Sequence, residues 1–281
     1  MFYLLILLLQ MKLISHISDL NKAIKNNRKL GFVPTMGGLH KGHESLIRIS
    51  QKKCEETLVS IFVNPRQFNN NTDYKTYPQN LNKDLRMLKK LKIDYVFIPT
   101  VKEIYKDKKF IKFTLKKSQK ILCAKYRKGH FEGVLDVMNR FINLIQPKYV
   151  FMGEKDFQQL FLIRYFMKKR YKTKIYSCKT IRDKKKIALS TRNYLLNNED
   201  IKKVSLITKE LIKFKSKIIQ NKKISNYSIK NFRKNLIKDF KIKIEYFEAR
   251  NIVDLEKKII NKKFKLFISY YVNNVRLIDN F

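Results

Sequence analysis

The sequence predicts an α/β fold: a mostly parallel sheet with helices on both faces, joined to a smaller C-terminal α+β domain. Three observations carry this expectation. Short apolar runs of strand type alternate with helical stretches as far as Arg182, which is the pattern of strand–helix–strand units. Three of those strands, ending near Val33, Val63 and Met152, lead into the most distinctive loops of the chain. Open parallel sheets bind their ligands beyond such strand ends. After Arg182 the alternation stops, and lysine-rich amphipathic stretches precede two strand-like runs.

Taken in order, residues 2–9 are almost wholly apolar. The run is shorter than the roughly 20 residues that span a bilayer. It lacks the basic flank and small-residue cleavage site of a signal peptide. Met11 opens Met11-Lys12-Leu13-Ile14, so residues 1–10 are expected to be an N-terminal extension, with 11–182 the parallel α/β domain and 183–281 the smaller α+β domain. A polar helix is expected over 18–28, with Ser18 as its cap. A strand over 29–33 then enters Pro34-Thr35-Met36-Gly37-Gly38-Leu39-His40-Lys41-Gly42-His43, and a helix runs on to about residue 56.

Next come a strand over 57–63, the turn Asn64-Pro65-Arg66-Gln67-Phe68, and a polar loop over 69–76. A helix over 77–92 carries Asp84 and a Leu81, Leu85, Leu88 stripe; strands are expected over 94–99 and 110–115. A loop over 122–133 leads to a helix with Val134, Met138, Phe141 and Ile145 on one face. The strand over 149–152 ends in Gly153-Glu154-Lys155-Asp156-Phe157-Gln158-Gln159, followed by a helix to about 170 and a strand over 174–181. The second domain shows helices over 201–219 and 229–239 and strands over 242–249 and 264–272.

Composition narrows the function. Net charge is +40, from 63 basic and 23 acidic residues, which by itself suggests nucleic acid or a membrane surface. The excess is mostly lysine, spread along the chain, with Asn and Ile abundant and Gly scarce. That is the mark of AT-biased coding, so neither nucleic acid nor membrane is expected as a partner. Cys54, Cys123 and Cys178 form no Cys-x-x-Cys pair, which fits a reducing cytoplasm. No His/Cys/carboxylate cluster has metal-ligand spacing, so no protein-held metal is expected.

The stretch from Pro34 to His43 is a strand-to-helix turn. Gly37 and Gly38 allow a ligand close to the backbone, and a helix start favours phosphate. His40 and His43 are three apart and can address one phosphate chain; imidazole can give up a proton near neutral pH. His-x-Gly-His after a strand resembles the nucleotide-binding signature of the pantothenate synthetase family, within the His-x-Gly-His nucleotidyltransferase superfamily. Further resemblance lies in 60–68, 128–134, 153–160, 189–194 and 276–280, in matching order and spacing.

That resemblance implies a Rossmann-like N-terminal domain, a C-terminal lid and a homodimer. It implies the joining of pantoate to β-alanine with ATP as substrate and Mg²⁺ accompanying it, through pantoyl adenylate, releasing AMP and diphosphate. Met36, Gly37, Gly38, Leu39, His40, Lys41, Gly42 and His43 would bind ATP, His43 giving a proton to the leaving diphosphate and His40 contacting phosphate. Gly153, Glu154, Lys155 and Asp156 would join them, with Lys155 neutralising charge on the transferred phosphate. Ile181 would touch adenine, and Leu189, Ser190, Thr191 and Arg192 would hold phosphates. Gln67 and Gln159 would bind pantoate, an amide being able both to donate and to accept.

Some positions depart from the family. Thr191 stands where serine is usual, Lys184-Lys185-Lys186 where an Asp-Gly turn is usual, and Ala124 and Lys128 where Gly and Pro are common. Two other readings stand beside this one: a nucleotidyltransferase acting on a phosphorylated acceptor, which would want more cations than the amides Gln67 and Gln159, and a basic nucleic-acid-binding protein, which would want basic clusters interleaved with aromatics.

Overall fold

The computed structural model describes residues 11–25, 29–106, 111–221, 225–257 and 263–281. The expectations for residues 1–10 and for Phe110 lie outside the described residues. The chain divides into two compact units. One runs to Glu154 and resumes over Gln159–Lys179; the other comprises Lys155–Gln158 and Thr180–Phe281.

The first unit is built on a six-stranded sheet of order β1-β4-β3-β2-β5-β6, all neighbours parallel. The strands are β1 (Lys12–Ile14), β2 (Leu30–Thr35), β3 (Glu56–Ile61), β4 (Tyr95–Phe97), β5 (Tyr149–Gly153) and β6 (Lys174–Cys178). Its helices are α1 (Ile17–Ile24), α2 (Lys41–Lys53), α3 (Asn71–Lys75), α4 (Leu81–Lys90), α5 (Val101–Ile104), α6 (Cys123–Tyr126), α7 (His130–Ile145) and α8 (Phe157–Met167), the last opening in the Lys155–Gln158 segment.

Alternation along β2 covers both sheet faces. Phe32 meets Phe141 of α7 edge-on at 5.5 Å, and Phe141 also meets Phe62 at 5.9 Å and Phe97 at 6.3 Å. Val33 belongs to a different core cluster, with Leu46 and Ile47 of α2. At Gly31 that helix comes so close that a Cβ would lie 2.1 Å from Ser50 Oγ.

Several boundaries differ from expectation, each for a local reason. The polar stretch after Phe68 forms α3 because the Asn70 side chain caps it by accepting from Thr72 N–H at 2.8 Å. In α4, Leu81 is exposed and Asp84 is buried, so the inward stripe is Asp84 with Leu88. Residues 111–116 form no strand. The expected loop over 122–133 contains α6, and α7 already begins at His130, where Gly129 turns the chain with φ +78°. β1 is three residues long and pairs with β4, too short to show a period.

The second unit holds α9 (Asn198–Asn221), α10 (Asn226–Phe240) and an antiparallel sheet β7-β8-β9, over Lys243–Asn251, Phe264–Val272 and Val275–Asn280. One face buries Ile244, Phe247, Leu266, Ile268 and Tyr270 with Val204, Ile207 and Leu211 of α9 and Leu236 of α10. Phe214 and Phe232 stack across the two helices at 4.0 Å.

Candidate functional site

In the first unit the strand order reverses between β2 and β5, the switch point where such sheets take ligands. Beyond the carboxyl end of β2, Gly37 and Gly38 adopt φ of +80° and +62°, values cheap only for glycine. A Cβ on Gly37 would sit 3.1 Å from Asp84 Oδ2.

Three successive N–H groups of this loop are spent inside the protein. Gly37 donates to Thr35 Oγ1 at 3.3 Å, Gly38 to Asp84 Oδ2 at 2.8 Å and Leu39 to Asp84 Oδ1 at 2.7 Å. The N–H groups of the two glycines are thus taken up by the turn itself and by Asp84. Burial pushes the Asp84 carboxyl up, while the Leu39 and Gly38 N–H groups pull it back.

His40 caps α2. Its Nδ1 accepts from Gly42 N–H at 3.0 Å, and His43 Nδ1 accepts from His40 N–H at 3.3 Å. The two rings lie 4.1 Å apart. An Nδ1 that accepts a hydrogen bond cannot carry the proton, so each neutral ring holds it on Nε2. Both rings then carry their N–H on Nε2, and both lie half-buried at the start of α2.

Beyond β3, Pro65–Gln67 forms a 3₁₀ turn capped by Asn64, which accepts from Arg66 N–H at 3.1 Å. Gln67 is buried and donates from Nε2 to Met36 Sδ at 2.7 Å, while Asn64 Nδ2 donates to Gln67 Oε1 at 3.3 Å. The Tyr105 hydroxyl donates to Asn64 Oδ1 at 2.7 Å, and the Arg66 guanidinium lies 3.8 Å from the Tyr105 ring centre. Beyond β5, Glu154 accepts from Ser177 Oγ at 2.7 Å. A Cβ on Gly153 would meet nothing within 4 Å. Gln159 is half-buried in the first turn of α8.

The remaining candidates belong to the second unit. Lys155 Nζ lies 3.6 Å from Asp156 Oδ1, and its carbonyl accepts from Asn280 Nδ2 at 2.9 Å. Phe157 packs on Phe267 at 5.8 Å. Ile181 and Leu189 are joined by Leu189 N–H donating to Ile181 O at 3.0 Å, closing a small hairpin. Its turn holds Lys186 at φ +69°, a conformation that is cheap only for glycine, and Asp183 Oδ1 supports it by accepting from Ile187 N–H at 2.8 Å. Ser190 accepts from Arg192 N–H at 3.3 Å, and Thr191 is buried.

The structure thus joins Met36 with Gln67 and His40 with His43 in one unit, and Ile181 with Leu189 in the other. Sequence reasoning overlooked Asp84, Asn64, His130 and Asn280 as supports. Asp84 left a signal, a carboxylate in register with the Leu88 side of its helix; an asparagine before a terminal residue leaves none. Among the described residues, no group of three or more His, Cys, Asp or Glu could hold a metal ion. Among them too, no helix is long and apolar enough to cross a membrane.

A family model described as pantoate-beta-alanine ligase matches residues 11–281. The chain is 36% identical over 278 residues to a pantothenate synthetase of Thermosipho africanus, covering 96% of this chain and 99% of that one. It is 39% identical over 282 residues to one from Buchnera aphidicola, covering 96% and 98%. A crystal structure of pantothenate synthetase from Thermus thermophilus superposes with a TM-score of 0.89 at 27% identity, covering 96% and 99%. A pantoate-beta-alanine ligase from Francisella tularensis, complexed with beta-gamma ATP and beta-alanine, does so with 0.79 at 34% identity, covering 97% of each chain.

Proposed function

The chain belongs to the pantoate-beta-alanine ligase family, and on that premise we propose how its own residues condense pantoate with β-alanine at the expense of ATP. In the first step a pantoate carboxylate oxygen attacks the α-phosphorus of ATP. The bond to the bridging oxygen breaks, diphosphate leaves and pantoyl adenylate forms. In the second the β-alanine amine attacks the acyl carbon; AMP leaves, the amine loses a proton and pantothenate results.

The observation that carries the reading is the contact of Gln67 Nε2 with Met36 Sδ at 2.7 Å. It sets an amide suited to a hydroxy acid against the nucleotide loop. Gln67 and Gln159 hold the hydroxyls and carboxylate of pantoate. Met36, Gly37, Gly38, Leu39, Lys41 and Gly42 shape the ATP loop. His40 and His43 donate from Nε2 to phosphate, and His43 meets the charge that builds on the leaving diphosphate. The capping bonds on Nδ1 support this assignment, because they leave Nε2 as the donor of each ring.

Lys155 balances charge on the transferred phosphate, with Asp156, Glu154 and Gly153 framing it. Ile181 and Leu189 flank adenine, and Ser190, Thr191 and Arg192 take the phosphates, a hydroxyl pair beside a fixed cation. ATP enters as its Mg²⁺ complex, the ion screening the phosphates. The three cysteines are unpaired and buried, which suits a reducing cytoplasm. The homodimer belongs to the same reading and is supported by family resemblance alone.

The test is product analysis. Purified protein should form AMP from ATP in quantity only with both pantoate and β-alanine present; formation of ADP would exclude adenylation. His43→Ala or Lys155→Ala should cut turnover by about a hundredfold or more. A near-normal rate in either removes that residue from the chemistry.

A further inference from the structure

His130 opens α7 and is buried, yet it takes no part in the chemistry above. Its two nitrogens meet partners of opposite kind. Nδ1 lies 2.7 Å from the Gln67 carbonyl oxygen, and Nε2 lies 2.9 Å from Arg127 Nη1. A carbonyl only accepts and a guanidinium only donates. The ring must therefore carry its proton on Nδ1 and accept on Nε2, the tautomer opposite to that of His40 and His43. Arg127, 13% exposed at its side chain and 3.8 Å from Asp73, enforces this choice.

The turn under that ring has no slack. Gly133, one helical turn on, lies against it: a Cβ there would fall 2.1 Å from Arg66 O and 2.9 Å from Gln67 N. The Gly133 carbonyl accepts from Asn64 Nδ2 at 3.1 Å, and the same Nδ2 reaches Gln67 Oε1. The first turn of α7 thus grips the Gln67 residue at its main-chain oxygen, at its main-chain nitrogen by close packing, and through Asn64 at its side chain.

We propose that His130 is a positioning residue for hydroxy-acid recognition, holding the Gln67 backbone through an Nδ1–H donor whose tautomer Arg127 sets. This rests on the reading that Gln67 binds pantoate. The ring touches no substrate; it fixes where the Gln67 amide is presented, so its loss weakens capture of the acid and leaves ATP capture alone.

Steady-state kinetics of the full chain test it. His130→Ala should raise KM for pantoate about tenfold, the size of one well-made hydrogen bond, with KM for ATP unchanged. His130→Asn, whose amide N–H stands where Nδ1–H stood, should restore most of the loss; His130→Gln, whose amide falls at the Nε2 position, should not. The Gln67→Ala/His130→Ala double variant should have the pantoate KM of Gln67→Ala alone, since contacts acting through one group are not additive.

Equal behaviour of the Asn and Gln variants, or parallel rises in both KM values, would overturn the proposal and make the ring a packing element. Should His130→Ala fail to fold, the Asn and Gln pair decides alone. If Gln67→Ala leaves KM for pantoate untouched, the Gln67 assignment falls and takes the proposal with it. If Gln67→Ala raises that KM and His130→Ala does not, only the proposal falls.

Discussion

Asp84 is a carboxylate in a place that the helical pattern reserves for an apolar side chain. Two N–H groups of the glycine loop, from Gly38 and Leu39, hold it there. An amide in its place accepts at one atom and presents N–H to the other donor. Asp84→Asn should therefore raise KM for ATP and cost about 1–3 kcal/mol of stability in urea melts. An unchanged KM would mean that Gly37 and Gly38 shape the loop unaided. At this scale His40 and His43 stood out because a paired imidazole after a strand announces chemistry, and Gln67 only through the turn it shares with the family. Asp84 and His130 were given no role because a supporting residue is defined by what it touches, and their partners lie 45 and 63 residues away in the chain.

Elements were more legible than their supports. β8 lies where the apolar run over 264–272 placed it, and the alternation before Arg182 gave the parallel sheet because each buried strand writes its own hydrophobic run. β1 and β9 were missed as strands, one too short for a period and one half polar. The antiparallel sheet also carries a feature no run reveals. Glu245 of β7 accepts from Ser269 Oγ at 3.0 Å, from the Tyr271 hydroxyl at 2.8 Å and from Arg276 Nη2 at 2.6 Å, tying the three strands on the face opposite the apolar one. Burial raises its pKa, but Arg276 and the two hydroxyls outweigh that and hold it below the ordinary value of 4.5. A lowered carboxylate pKa stabilises the fold above the unfolded value and loses that contribution as pH falls through the folded one. Arg276→Ala should then cost about 3 kcal/mol at neutral pH. The gap from the parent protein should narrow as pH falls below 4.5. A gap independent of pH would show that Arg276 acts by packing alone.

On the scale of the whole molecule, the charge of +40 is a field rather than a site. It should draw in ATP from a distance, so kcat/KM for ATP should fall as salt rises from about 50 to 500 mM at fixed magnesium. A flat response would leave the lysines with solubility as their only role. The second unit is also discontinuous in the chain: Lys155–Gln158 belongs with Thr180–Phe281, pinned by Asn280 on the Lys155 carbonyl and by Phe267 on Phe157. Gene recombination therefore has no clean seam near residue 180. A single crossover there would leave Asn280 a main-chain carbonyl at position 155 from either parent, but would graft one parent's Phe267 onto the other's Phe157, so that aromatic pair is inherited safely only together.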